Sequence, residues 1–200
     1  MKYPHGIFSS KYLSNQFNFK VIVLLRNPFA FAASIVKQGW FFDFSNILCQ
    51  NKLVEHYFPK LKTELNNQIQ HEEDIIGSAI LQWKLIYKYL KDVHNTYQDC
   101  LLLKHESLST EPIKYFSSIF NFIGIPFTER SKRIVYNYSL SNKSEAPKGH
   151  VTDVKINSKK NLGNWKKYLN NNDINRIYRE TYDLATYFSY DLDNIIASHK

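Results

Sequence analysis

A basic residue stands where a short apolar run ends and a helix is predicted to begin. Residues 19–25 (FKVIVLL) are rich in Val, Ile and Leu, which is typical of a strand buried on both faces of a parallel sheet. Arg26 follows directly. Ligands of open α/β sheets bind outside the carboxyl ends of the strands, and a guanidinium can hold a phosphate through two parallel hydrogen bonds. We predict that Arg26 binds an anion, and an ion pair with a surface carboxylate explains its position equally well.

The segment after Arg26 predicts a helix that would face the same anion. Asn27 can cap a helix, Pro28 is allowed in a first turn, and Gly39 would end the helix. The first turn is expected to offer free N–H groups and the positive end of the helix dipole. Ser34 lies on this helix and can add a hydroxyl group to the site.

A histidine follows the second predicted strand. Residues 100–103 (CLLL) form another short apolar run, and His105 and Glu106 follow it. An imidazole at this position can stack on a base or donate a hydrogen bond. A histidine at a strand end with no functional role is the alternative.

A lysine pair closes a long polar segment. Residues 139–161 are polar, and a structureless segment of this length in a compact domain is commonly a lid or a binding loop. Ser158, Lys159 and Lys160 stand at its end, just before Trp165, which would anchor the segment. We predict a flexible loop that closes on an anion, with a solvated basic loop as the alternative.

The glycines exclude one kind of phosphate site. A loop of the GxxxxGK[ST] type needs two glycines five residues apart. The six glycines stand at positions 6, 39, 77, 124, 149 and 163, so the closest pair is fourteen residues apart. These 200 residues therefore contain no such loop. The histidines show no metal-ligand spacing, so no metal site is predicted.

The wider pattern predicts helices that alternate with strands. Apolar stripes of helical period occur near residues 72–94, 110–123, 129–138 and 173–188. The order of strands and helices indicates an α/β fold with a parallel sheet, in a single domain over residues 1–200. Two predicted strands are few for such a sheet, so either further strands are present or part of the domain is absent.

Taken together, these motifs resemble one enzyme family, the sulfotransferases. The resemblance rests on KVIVLLRNPFAFAAS (20–34), LLLKHESLSTEP (101–112) and NSKKNLGNWKKYL (157–169). The match is closest to bacterial members, which also show KxP near the start of this region (here Lys2-Tyr3-Pro4) and an aromatic stretch like residues 39–50. The motifs occur in the family's order and spacing, and the resemblance covers nearly the whole chain.

The resemblance implies a P-loop NTPase-like parallel sheet flanked by helices, in a helix-rich form. It implies transfer of a sulfuryl group from 3′-phosphoadenosine 5′-phosphosulfate (PAPS) to a hydroxyl acceptor. By position, Arg26 and Ser34 would bind the 3′-phosphate of the donor. His105 would lie near the nucleotide, where the family often has Tyr.

The resemblance also implies what closes the site and what is absent from it. Ser158, Lys159 and Lys160 would close over the nucleotide, with one cation shifted or lost relative to the family's Arg-Lys-Gly loop. Lys2 would fall near the reacting sulfuryl group. The family's Gly- and Ser/Thr-rich loop, which holds the phosphosulfate, lies upstream of this region. We therefore expect an N-terminally truncated chain that binds nucleotide weakly and does not catalyse transfer alone.

The overall charge leaves two further functions open. A formal net charge of +8 favours anionic partners, but the Lys and Arg residues form no dense run and no stripe with interleaved aromatics. We therefore expect no nucleic-acid partner. A non-catalytic nucleotide- or anion-binding module is the stronger alternative to the enzyme, and a basic nucleic-acid-binding protein is the weaker one. No secretion signal, membrane-spanning run or CxxC pair occurs, so a cytoplasmic location is expected. The acceptor and the oligomeric state cannot be read from the residue pattern.

Overall fold

The computed structural model describes residues 6–97, 99–139 and 158–198. Within these residues the chain is mostly helical and contains one small parallel sheet, which confirms the helix-rich α/β class. Two compact units are present: Met1–Leu13, Asn27–Gln98 and Trp165–Lys200 form the first, and Ser14–Arg26 and Asp99–Asn164 form the second. The single domain over residues 1–200 stays a prediction.

The helices and strands follow one another in a fixed order along the described chain. They are α1 (Ile7–Phe17), β1 (Val21–Leu25), α2 (Pro28–Gln38), α3 (Ser45–Leu48), α4 (Asn51–Tyr57), α5 (Lys62–Gln70), α6 (Ile75–Val93), β2 (Cys100–Lys104), α7 (His105–Thr110), α8 (Pro112–Ile123), α9 (Glu129–Ser139), α10 (Asn171–Tyr187) and α11 (Leu192–Ala197). Short 3₁₀ turns occupy Pro59–Leu61, His94–Thr96, Lys159–Asn161 and Asn164–Lys167.

Helix α6 is the central element of the first unit. It packs against α2 and α10, and its apolar side chains recur at helical spacing, as the sequence predicts. Trp83 and Tyr87 lie one turn apart with ring centroids 3.8 Å from each other, and Trp83 is fully buried. A second cluster, which includes Phe58, Leu65 and Leu85, packs α6 against α3, α4 and α5. Most of the buried apolar side chains of the described chain therefore belong to this unit.

Helix α2 has the start and the end that its sequence predicts. The side chain of Asn27 accepts a hydrogen bond from the Ala30 backbone N–H at 2.8 Å, and Pro28 is the first helical residue. Gly39 ends the helix with a φ of 60°, a left-handed conformation that glycine adopts without steric cost. These features define both ends of α2.

The second unit is built around the two strands. Strand β1 pairs with β2 in parallel, in a register that runs from Val21 opposite Cys100 to Leu25 opposite Lys104. Helix α7 starts at the residue after β2, with no intervening loop, and α8 and α9 follow. The apolar stripe of α8 that the sequence predicts is present, and Gly124 ends the helix with a φ of 78°.

Some predicted boundaries hold, and some elements lie where none was predicted. The helix predicted over 129–138 matches α9, and the one predicted over 173–188 matches α10 within two residues. Helices α1, α7 and α11 were not predicted. Of the predicted loop over residues 139–161, residues 140–157 lie outside the described residues, Ser139 closes α9, and Lys159–Asn161 form a 3₁₀ turn.

Candidate functional site

The two strands bring Arg26 and His105 to the same edge of the sheet. Leu25 and Lys104 are register partners at the carboxyl ends of the two strands, so the residues that follow them leave the sheet side by side. Both side chains are half-buried, and the Nε atom of Arg26 is fully buried. The sequence predicted a strand end before each residue, and the parallel pairing makes the two residues neighbours.

The surroundings of His105 favour its neutral form. Burial lowers the pKa of His105 below its ordinary value, the positive charge of Arg26 lowers this pKa further, and Glu106 opposes both effects. A neutral imidazole carries one donor and one acceptor nitrogen. At neutral pH this ring can therefore hydrogen-bond or stack without adding a second positive charge beside Arg26.

The lysine turn belongs to the same unit. The 3₁₀ turn Lys159–Asn161 packs against α7, the helix whose first residue is His105. Ser158 precedes the turn, is half-buried, and donates its backbone N–H to the carbonyl oxygen of Ser139 at 3.3 Å. The side chains of Lys159 and Lys160 are exposed. The second unit thus holds five of the predicted binding residues: Arg26, His105, Ser158, Lys159 and Lys160.

The sequence analysis did not identify one basic residue at this edge of the sheet. Lys104 is the last residue of β2 and is half-buried, and burial lowers its pKa while Glu106 raises it. Its position at a strand's carboxyl end is the signal that singled out Arg26, so the same argument would have found it. The edge therefore carries two basic side chains and one neutral ring.

The predicted hydroxyl ligand lies on a different unit. Ser34 is half-buried on α2, which belongs to the first unit, and its joint role with Arg26 stays a prediction.

The start of α2 offers fewer free backbone amides to a ligand than the sequence suggests. Pro28 has no N–H group, and the N–H of Ala30 is bound to Asn27. Two of the first three helical residues therefore contribute no amide to a ligand.

Trp165 follows the lysine turn and is buried in the first unit. Its ring stacks on Phe29 of α2 with centroids 5.0 Å apart and an interplanar angle of 23°. The adjacent Lys166 lies over the Trp165 ring and donates to the carbonyl oxygen of Ile196 at 3.1 Å. The role of Trp165 as an anchor of the preceding loop stays a prediction.

Lys2, the residue predicted near the reacting sulfuryl group, lies outside the described residues.

A second charged group lies in the first unit, in and around a cavity of about 200 Å³. Asp74 caps α6 by accepting from the Gly77 N–H at 2.9 Å, and Arg176 of α10 contacts both Asp74 carboxylate oxygens. Arg176 also donates from Nε to Glu180 at 3.0 Å. We call Asp74, Arg176 and Glu180 the Arg176 clamp. Because Arg176 is paired with both carboxylates and ties α6 to α10, the arrangement is that of a structural link.

The described residues contain no group of three or more His, Cys, Asp or Glu side chains arranged to hold a metal ion.

Burial raises the pKa of the Cys100 thiol to about 11, so this thiol stays protonated at neutral pH. Cys49 is exposed, and neither cysteine forms a disulfide.

None of the helices within the described ranges combines the length and apolar character that crossing a membrane requires.

Comparison with known proteins gives one match. A family model described as "Sulfotransferase domain" matches residues 4–187. No curated protein and no solved structure matches the chain at a significant level.

Proposed function

Because the chain belongs to the sulfotransferase domain family, whose model spans residues 4–187, we propose that it serves sulfuryl transfer from PAPS to a hydroxyl acceptor. In this reaction the acceptor oxygen forms a bond to sulfur while the bond between sulfur and the bridging phosphate oxygen breaks. The hydroxyl proton passes to a base, and 3′,5′-adenosine bisphosphate (PAP) leaves. We assign recognition of the nucleotide to these 200 residues. We also propose that the two strands belong to a P-loop-like sheet and that the chain is similar to the bacterial members of the family.

One observation carries this proposal: the register of β1 and β2. It makes Arg26 and His105 neighbours at the carboxyl edge of a parallel sheet, where nucleotides bind in open α/β folds. A basic fork beside a neutral imidazole suits a phosphate next to an adenine or ribose ring. The basic residues of the same unit, with the lysine turn packed on α7, add positive charge to that edge.

Each predicted residue has a distinct role in the proposal. Arg26 binds the 3′-phosphate through two parallel hydrogen bonds, and Ser34 adds a hydroxyl group to it. His105 contacts the nucleotide in its neutral form. Lys159 and Lys160, which follow Ser158, approach the nucleotide's phosphate groups from the turn.

A second function, nucleotide binding without catalysis, is favoured by the glycine spacing. No two glycines stand five residues apart, so these residues lack a GxxxxGK[ST] loop to neutralise the phosphosulfate oxygens. Lys2 is the one residue that we assign to the sulfuryl group. The two functions separate in an assay with radiolabelled PAPS and a panel of hydroxyl acceptors, since only transfer yields a labelled acceptor.

Calorimetric titration with PAP tests the nucleotide site. We predict that Arg26→Ala weakens PAP binding by about 1.5–3 kcal/mol, the scale of a hydrogen bond to a charged group, or about 10- to 150-fold. Arg133→Ala, which removes an exposed arginine from α9, is the matched control for net charge and should leave the affinity nearly unchanged.

Two outcomes would contradict the assignment. Equal affinity of wild type and Arg26→Ala would remove Arg26 from the site. Equal weakening by Arg26→Ala and Arg133→Ala would show that only the net charge matters.

A further inference from the structure

The cavity beside the Arg176 clamp combines charged groups with an apolar wall. Glu64 and Gln68 line it together with the clamp, and Ile80 and Leu81 of α6, which are 2% and 3% exposed, supply apolar side chains. All of these residues belong to the first unit. The volume of about 200 Å³ is several times the roughly 30 Å³ that one water molecule occupies in the liquid. The cavity can therefore take a short organic molecule.

Gln68 offers this cavity a hydrogen-bond acceptor that the described residues leave unused. The residue is 9% exposed, and its Nε2 donates to the carbonyl oxygens of His71 and Asp74, both at 3.0 Å. Its Oε1 accepts no hydrogen bond from the described residues. This oxygen lies 2.7 Å from the point that a Cβ on Gly77 would occupy, and Gly77 lines the cavity. A donor bound in the cavity can reach this oxygen, and pairing a largely buried acceptor stabilises the complex.

Further acceptors line the same cavity. Glu180 accepts from Arg176 through Oε1, and Glu64 accepts from Lys84 through Oε2, so the second oxygen of each carboxylate can accept from a ligand. His71 also lines the cavity and donates from Nδ1 to a backbone carbonyl oxygen at 2.9 Å, which leaves Nε2 of the neutral ring as an acceptor. Together with Gln68 Oε1, these groups favour a ligand that donates hydrogen bonds.

The cavity also carries a surplus of negative charge, on a chain whose formal net charge is +8. Within the described residues, its lining holds the clamp's two carboxylates and that of Glu64, but a single Lys or Arg side chain, Arg176. Lys84, which pairs with Glu64, reduces the surplus to one negative charge. Arg179 lies 3.9 Å from Glu180 but is 79% exposed, so water screens its charge. The sign of the charge therefore favours a ligand with one positive charge.

We propose that this cavity binds a small primary alkylamine in its protonated form. The ammonium group would donate to Gln68 Oε1 and to a carboxylate oxygen of Glu64 or Glu180, and the alkyl chain would lie against Ile80 and Leu81. Arg176 keeps its bonds and still links α6 to α10. The proposal does not depend on the nucleotide site, since none of these residues is assigned to it.

NMR titration of the isotope-labelled 200-residue chain with n-butylamine tests the proposal. At about pH 7 this amine is protonated, as a lysine side chain is. We expect the signals of the Gln68 side-chain amide and of the Arg176 Nε–H to shift and to saturate. The dissociation constant should be on the order of 1 mM, ordinary for a ligand with so few atoms. The uncharged n-pentanol, of similar length, should bind at least about tenfold more weakly.

Charge-neutralising variants examine which carboxylates take part. Glu180→Gln and Glu64→Gln keep the size of the side chain and remove one negative charge each, and together they should weaken binding of n-butylamine by about three- to tenfold. The matched control is Glu55→Gln, because Glu55 is exposed on α4 of the same unit and does not line the cavity; it should leave the affinity unchanged. The comparison of amine and alcohol uses the wild-type chain, so it does not depend on whether a variant folds.

Four results would overturn the proposal. Equal affinities for n-butylamine and n-pentanol would show that the positive charge is not recognised. Shifts at Gln68 and Arg176 that are absent, or that never saturate, would show that the cavity holds no specific site. Equal weakening by Glu55→Gln and by Glu180→Gln/Glu64→Gln would show that only the net charge matters. Tighter binding of the peptide acetyl-Ala-Lys-Ala-amide than of n-butylamine would assign the cavity to a lysine side chain of another protein instead of a free amine.

Discussion

Replacing Arg176 with Ala should lower the free energy of unfolding by about 2 kcal/mol. The guanidinium donates to both oxygens of Asp74, from Nη1 at 2.9 Å and from Nη2 at 2.8 Å, and from Nε to Glu180 at 3.0 Å. These side chains link α6 to α10, elements far apart in sequence. The substitution removes all three hydrogen bonds and leaves the Asp74 cap on α6 in place.

Solvent exposure sets the magnitude. The Arg176 side chain is 38% exposed and that of Asp74 is 32% exposed, so water screens the pair and can solvate the remaining carboxylate. Fully buried charged hydrogen bonds would be worth more, and an exposed pair is worth at most about 1 kcal/mol. Bidentate geometry and a third bond raise the sum to about 2 kcal/mol, which corresponds to a melting temperature lower by about 4–8 °C for a chain of this size.

The pH dependence identifies the cause. Burial alone would raise the pKa of Asp74, but hydrogen bonds from Arg176 and the Gly77 N–H, with the charge of Arg176, outweigh burial and lower it. A carboxyl group whose folded pKa is lowered stabilises the fold above its unfolded pKa. That stability is lost as pH falls through the folded pKa. The cost of Arg176→Ala should therefore be full at neutral pH and shrink in acid.

Urea unfolding followed by circular dichroism at about pH 7 and about pH 2.5 measures both quantities. The matched control is Arg179→Ala, because Arg179 lies on the same helix three residues after Arg176, is 79% exposed and approaches Glu180 only to 3.9 Å. Equal losses for Arg176→Ala and Arg179→Ala would refute the reasoning. So would a loss for Arg176→Ala that is the same at both pH values, because the Asp74 carboxylate would then not be its source.

Three further predictions concern single groups. Asn27→Ala should cost about 1 kcal/mol of stability through loss of the α2 cap, as measured by urea unfolding, and Asn27→Asp should retain most of it. The pKa of His105, followed by NMR titration of its ring, should lie below the ordinary histidine value and rise in Arg26→Ala; a higher-than-ordinary wild-type value would contradict the burial argument. At about pH 8 a thiol reagent should modify exposed Cys49 quickly and Cys100 slowly, and equal rates would show that burial does not protect Cys100.

Local patterns in the sequence predicted the elements whose signals are strong. Asn27, Pro28 and Gly39 gave the start and end of α2, because each residue type favours one position in a helix. No comparable signal marks α7, because its residues HESLST are mostly polar and show no apolar periodicity. This helix follows β2 without a loop and forms in the context of the sheet and α8, which local propensity does not capture.

The candidate site was predicted residue by residue and not as an arrangement. Position at a strand end singled out Arg26 and His105, yet only the parallel pairing of β1 with β2 makes them neighbours. Lys104 was overlooked although it directly follows the predicted strand over residues 100–103. The contact between the lysine turn and α7 depends on long-range packing, which no local pattern encodes.

The register of the two strands also limits how this sequence can diverge. Exchanging one apolar residue for another in β1 or β2 keeps Leu25 opposite Lys104. Inserting a single residue in either strand would advance its end by about 3.3 Å and turn the following side chain to the opposite face. Arg26 and His105 would then no longer leave the sheet together. These ten strand residues can therefore be substituted without separating Arg26 from His105, whereas an insertion in one strand would separate them.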